Sequence, residues 1–403
     1  MNHEERFLAV LNGEIPDRVP YTEIGGMDSV IIGRHYGYDY GEPSKAMDLL
    51  KIVPGWRRLF LKFAENAKIV SSIANRGFEL YRLMKQDAIP IVMCMFPVIP
   101  ANHAKKIDGK PYQKFAVPES GTFVDEFGRI MKTVPTAYET SMLYYMDGAL
   151  KTEEIYDQWG TPDPHHPVRM EVYNMAREYY DIQKEKGIDN PYPLPAIGGI
   201  NEVTWEGMSF KSFAKALRRN RSFITRVLDD RTNFAIGIIN DLAEAPVPPK
   251  AFLFYDDYGF KNGPLLPPKD FKELFAPRLK KIVDTGHKYG MKAIMHSCGN
   301  LNQLWDDLVG TGIDALHPLE PTAKMDIFAL KKSNPNLTFI GNVSPQDLQD
   351  KDPEFIREYT KRLMNECKEG GRFILSSGHS INPAVDLQNY LAMRETHDKY
   401  ADY

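Results

Sequence analysis

The stretch Met291-Lys292-Ala293-Ile294-Met295-His296-Ser297-Cys298-Gly299 begins as a short apolar run and ends in an imidazole, a thiol and a glycine. Brief, apolar and bounded by Gly290 and Gly299, the run predicts a buried strand. The same grammar recurs on either side. Residues 251–255 end in Asp256-Asp257, 313–316 in His317-Pro318, 337–340 in Gly341-Asn342, and 372–375 in Ser376-Ser377-Gly378-His379. Between these runs lie helical patterns at 268–289, 301–309, 325–332, 353–368 and 385–397. The first of them carries Phe271, Leu274, Phe275, Leu279, Ile282 and Val283 on one stripe.

Upstream the alternation continues less regularly. Strands are expected at 19–24, ending in Gly25-Gly26, at 88–95, and at 194–197, ending in Gly198-Gly199. Helices are expected at 4–11, over most of 44–86, and at 152–158, 164–187, 210–218 and 222–242. About eight strands alternating with helices predict a parallel sheet closed into a (β/α)₈ TIM barrel, one domain over 1–403. No Gly-x-Gly-x-x-Gly follows the first strand, which argues against a dinucleotide-binding sheet. Residues 100–150 break the pattern. Phe123 to Met131 suggests hairpin strands, hence a hairpin insertion in the N-terminal half, either a flap over a site or a surface excursion.

Composition narrows the function classes. A net charge of −4 gives no reason to expect a nucleic-acid partner. No apolar run approaches the ~20 residues of a membrane span, and the opening Met-Asn-His-Glu-Glu-Arg lacks the features of a signal peptide. Three cysteines, Cys94, Cys298 and Cys367, make no disulfide framework and fit a cytoplasmic protein. A homodimer is carried as an open expectation, since nothing in the sequence sets the oligomeric state.

A barrel of this kind works at the C-terminal ends of its strands. Glu23, Asp256, Asp257, His296, Cys298, His317, Glu320, Asn342 and His379 crowd those ends. His296 and Cys298 stand at i and i+2, on one side of a strand, and nitrogen with sulfur suits Zn²⁺. The plain alternative is a buried histidine beside an inert cysteine. Asp257 can orient a ligand histidine, supply a fourth ligand or handle a proton, against the alternative of capping its loop. Asp256 is expected to point the other way. Glu23, His317, Glu320 and Asn342 are candidates for substrate contact. Tyr255 and Trp205 are candidates for an aromatic wall, against ordinary packing. Cys94 sits in an apolar run and Cys367 on the helical stripe of Ile356, Tyr359 and Leu363, so both read as core.

Taken together, Asp256-Asp257-Tyr258-Gly259, Leu265-Leu266-Pro267-Pro268, His296-Ser297-Cys298-Gly299, Gly341-Asn342-Val343-Ser344-Pro345-Gln346 and the run Gly370 to His379 resemble the uroporphyrinogen decarboxylase superfamily, in its corrinoid-dependent methyltransferase branch. Glu5-Arg6-Phe7-Leu8, Pro16 to Pro20 and Val124 to Arg129 resemble it too. The resemblance implies a (β/α)₈ barrel, zinc, a small-molecule methyl donor and a corrinoid (cobalamin) carried on a partner protein. The decarboxylases of the superfamily carry an arginine-rich stretch where this chain has Tyr21 to Asp28 without arginines. Thiol-methylating members add a second cysteine on a late strand, where this chain has His379. The implied ligand set is thus His296, Cys298 and His379, with Asp257 and His379 as catalytic candidates. The implied activity is O-demethylation of a methoxylated aromatic. The alternatives are methylcobamide:thiol methyl transfer, a decarboxylase and a non-catalytic binding protein.

Overall fold

Seven parallel strands follow one another in the order Ala88–Val92, Tyr192–Gly198, Ala251–Tyr255, Lys292–Ser297, Ala315–Pro318, Thr338–Val343 and Phe373–Ser377. The computed structural model describes residues 1–38, 76–95, 106–107, 110–111, 122–137 and 141–403. Most of the helix expected over 44–86 therefore lies outside the described residues; 76–83 are helical.

The eighth stave is where the sequence expectation needs correcting. Residues 19–24 do not form a strand: Tyr21 makes a lone parallel bridge to Leu375. Pro20 has no N–H to give to a ladder, which breaks the run. Its carbonyl still accepts from Leu375 N–H, and Thr22 N–H donates to Leu375 O. On the other flank Asp87 N–H donates to Tyr21 O and Thr22 Oγ1 to Ala88 O. The stretch thus joins the last strand to the first and closes the barrel.

Inside, Leu194, Ala196, Ala251, Leu253, Ile294, Ala315, Ile340 and Ile374 fill the lumen, and Phe7, Val10 and Leu11 of the His3–Asn12 helix plug its lower end. Outside, the helices bury a second, larger apolar cluster against the strands. The helix expected over 268–289 is interrupted by a π turn at Phe271–Phe275 before Ala276–Lys288. Pro277 supplies the reason, because it cannot close the i→i−4 bond. The 100–150 excursion contains a three-stranded antiparallel sheet, Thr122–Val124, Arg129–Pro135 and Ser141–Gly148; residues 96–105, 108–109, 112–121 and 138–140 lie outside the description. A short helix that the sequence reading left as loop, Glu202–Met208, follows the Tyr192–Gly198 strand. Among the described residues no helix is long and apolar enough to cross a membrane.

Candidate metal centre at the barrel mouth

His296 ends the Lys292–Ser297 strand and Cys298 follows it, so the alternation of the strand sends both to one side. Cys298 Sγ lies 3.3 Å from His296 Nε2. The turn after it works only with glycine. Gly299 has φ +82°, and a Cβ there would stand 2.3 Å from the Gly259 carbonyl carbon. That close passage locks the cysteine loop against the Asp257 loop, where Asp257 Oδ1 accepts from Cys298 N–H at 2.7 Å.

His379 arrives from the far side of the barrel, beyond the Phe373–Ser377 strand. Gly25 lets it approach, since a Cβ there would meet the His379 carbonyl at 2.5 Å. The ring is exposed and stands edge-on to His296, centroids 5.9 Å apart. One ligand atom from each of His296, Cys298 and His379 lies within 4.8 Å of the others. With metal–ligand bonds of about 2.0–2.3 Å, such a triangle closes on one ion with small side-chain shifts. Two imidazoles and a thiolate suit zinc, and the exposed third ligand leaves an open side. His379 fits less directly: its Nδ1 accepts from Ser380 N–H at 2.7 Å, so its Nε2 carries the proton while that bond holds.

The electrostatics of this mouth are unbalanced. Burial pushes the Cys298 thiol well above its ordinary range, and the Asp257 and Glu320 carboxylates push it further. Asp257 is itself pushed up to about 7 by burial, with Asp256, Glu320 and Glu206 adding to the effect. Glu202, on the unforeseen helix, is raised by burial and by Asp257 and Glu206. Burial and the neighbouring His317 and His379 hold His296 well below the usual imidazole value. The Arg129 guanidinium is spent on Asp125 and Glu206. A cation placed at the triad would offset this accumulation and favour the thiolate.

The remaining sequence candidates divide. Tyr255 flanks the centre: its ring lies 5.3 Å from that of His296 and its hydroxyl donates to Ile24 O at 2.9 Å. Glu320 accepts from Gly299 N–H at 3.3 Å and adjoins Cys298. Trp205 packs against Tyr145 of the antiparallel sheet, centroids 5.5 Å apart, with its Nε1–H buried and without a partner among the described residues. Asp256 points away, as expected, and caps the Glu202–Met208 helix through Ile200, Asn201 and Glu202 N–H.

Three substrate candidates are corrected by their surroundings. Asn342 is fully buried and its amide is occupied by Leu319 O and by Tyr359 Oη at 2.5 Å, on the helix side of the sheet. Strand alternation slips at Gly341, with φ +138°, and turns Asn342 outward. Glu23 is fully buried and accepts from Tyr21 Oη at 2.7 Å and from Ser377 N–H and Oγ–H. His317 is fully buried behind His296, with the two Nδ1 atoms 2.7 Å apart. Cys94 and Cys367 are buried, as expected for core positions. Glu202 is what the sequence reading missed. Its only signal was the spacing Glu202, Trp205, Glu206 after a strand-end glycine pair.

A family model described as uroporphyrinogen decarboxylase (URO-D) matches residues 204–400. A uroporphyrinogen decarboxylase from Hydrogenovibrio crunogenus is 27% identical over 217 residues, 51% of this chain and 58% of that protein. The chain thus matches this curated relative over less than two thirds of its length. Among solved structures, a methyltransferase from Methanosarcina mazei superposes over 99% of both chains with a TM-score of 0.62 at 20% identity, a likeness of fold.

Proposed function

We propose that this protein, whose residues 204–400 match the uroporphyrinogen decarboxylase family model, is a zinc-assisted methyltransferase that moves a methyl group from a small methylated substrate to the Co(I) corrinoid of a partner protein. The observation that carries the reading is the triad of His296, Cys298 and His379 at the barrel mouth. Zinc, when bound, supplies Lewis acidity toward a poor leaving oxygen, and the corrinoid supplies the nucleophile. His296 and Cys298 would hold the ion on the buried side of the mouth. Asp257 fixes the Cys298 backbone and, with its carboxyl raised to about 7, can hold a proton for the departing oxygen. His379, with an N–H at Nε2, would be placed to donate a hydrogen bond to the departing oxygen when it is not a ligand.

The substrate we favour is a methoxylated aromatic. Tyr255 beside the centre supports it, and so does the Trp205–Tyr145 pair where the antiparallel sheet meets the Glu202–Met208 helix. That sheet would serve as the flap that keeps water out, orienting the methyl carbon for in-line attack. A thiol acceptor is the weaker reading because His379 stands where a second cysteine is expected. A porphyrinogen decarboxylase is disfavoured by the same mouth: several propionates want fixed guanidinium groups, and the neighbours named here are Asp257, Glu202 and Glu320.

The test is turnover. Zinc-loaded protein is mixed with Co(I) cobalamin and a panel of methoxylated aromatics, and the methylated corrinoid is followed by absorbance. Methyl transfer that stops on zinc removal supports the reading. Metal-independent release of CO₂ from a carboxylated substrate, with no methyl transfer, would replace it.

A further inference from the structure

Two histidines at hydrogen-bonding distance in a dry place have few ways to share protons. His296 and His317 are register partners on adjacent parallel strands, their Nδ1 atoms 2.7 Å apart. His317 is fully buried and His296 is 6% exposed. On the far side of the pair, His317 Nε2 lies 3.1 Å from Ser377 O. A carbonyl oxygen can only accept, and the second neighbour, Ser376 Oγ at 3.4 Å, can accept too while its own proton goes to Glu23 Oε2, so this nitrogen carries the proton. A second proton on the same ring would be a buried cation facing another histidine rather than a carboxylate. His317 Nδ1 is therefore the acceptor, and His296 Nδ1 the donor. That leaves the lone pair of His296 at Nε2. It points into the mouth, 3.3 Å from Cys298 Sγ and 3.8 Å from Asp257 Oδ1.

We propose that His317 is a positioning residue: through a relay that ends on the Ser377 carbonyl it fixes His296 as the Nδ1–H tautomer and presents a preset Nε2 ligand to the metal. The metal half of this statement rests on the function proposed above; the tautomer half does not. The opposite tautomer would set two lone pairs against each other at the Nδ1 contact and point an N–H at the sulfur. His379 supplies the contrast within one centre. Its Nδ1 is taken by Ser380 N–H, so the ring must leave Ser380 and shift its proton to Nδ1 before Nε2 offers a lone pair. His296 and Cys298 thus form the fixed half of the site and His379 the adjustable half.

Two-bond ¹⁵N–¹H correlation spectra of ¹⁵N-histidine-labelled, metal-free protein read the tautomer directly, with a His296→Gln spectrum to assign the resonance. The expected result is His296 as Nδ1–H. His317→Asn, whose Oδ1 falls near the lost Nδ1, should keep that tautomer. His317→Leu should release it to Nε2–H or a mixture and weaken zinc binding by about 10–100-fold, measured against a chromophoric chelator. Nε2–H in the unmodified protein, or a tautomer unchanged in His317→Leu, overturns the proposal. If the leucine variant does not fold, the unmodified spectrum decides alone. A protein that shows Nδ1–H yet binds no zinc keeps the relay and loses the metal reading instead.

Discussion

The two ends of this barrel treat buried charge in opposite ways. At the N-terminal end Asp87 accepts from Tyr21 N–H at 2.8 Å, from His3 Nδ1 at 2.8 Å and from Arg6 at 2.7 Å. Burial pushes this carboxyl up. The bond from His3, the charges of His3 and Arg6 and the Tyr21 N–H outweigh burial and hold it below its ordinary value. At the C-terminal end Asp257, Glu202 and Glu320 gather around a buried thiol, and both Asp257 and Glu202 are raised. The lower end clasps the closing stave and the plug helix to the first strand. The upper end gathers acidic groups whose charged forms are disfavoured without a cation. A barrel of this kind is expected to keep stability at one end and chemistry at the other.

The largest effect should come from Asp257→Asn. The asparagine keeps an acceptor for Cys298 N–H, so folding stability should hold within about 1 kcal/mol. Turnover should fall by about 10²–10⁴-fold if the carboxyl handles a proton. Retained activity with a large stability loss would erase the contrast between the ends. Next comes Asp87→Asn, which leaves Arg6 paired with Asp17 alone and weakens the bonds from His3 and Tyr21 N–H. It should cost about 1–3 kcal/mol in denaturant titrations and leave metal content unchanged. A cost within error would remove the lower end's role as clasp.

The pH dependence of the metal-free protein separates the ends again. Asp87 is depressed, so the stability it contributes is present above the ordinary carboxylate range and is lost as pH falls through its folded value. Glu23 is raised to about 7, chiefly by burial. Between the unfolded value of about 4.3 and about 7, the folded state holds a proton the unfolded state has released, so this term weakens folding as pH rises. Glu23→Gln should flatten that upper slope, and Asp87→Asn the acid limb. Loss of both slopes in one variant would show the ends to be coupled. The smallest effect is expected from Trp205→Phe, which deletes a buried N–H without a partner among the described residues. Stability should hold or rise slightly, while KM rises at constant kcat if the ring only binds substrate.

Much of the upper end was legible because a strand has period two. His296 and Cys298 had to share a side, and His379 and Asp257 followed apolar runs of the same kind. What stayed hidden depends on which strand lies beside which. The contact of His317 with His296 is a matter of register between two strands. The burial of Glu23 among Tyr21, Ser376 and Ser377 joins residues 353 or more positions apart in the chain, apart from the local tyrosine. Asn342 shares the strand-end position of the other candidates, yet its amide meets Leu319 O and Tyr359 Oη, and at 19–24 Pro20 outweighs an apolar pattern. The Glu202–Met208 helix was missed because seven residues give too little periodicity to distinguish it from loop.

The account turns on a cation at the upper end. Metal content of protein purified without chelators, measured by plasma mass spectrometry beside Cys298→Ala, tests it most directly. The account predicts about one zinc per chain, absent from the variant, with both proteins folded. No metal in either protein after zinc is added back would contradict it, and His296 and His379 would then be left as substrate-binding or acid–base residues.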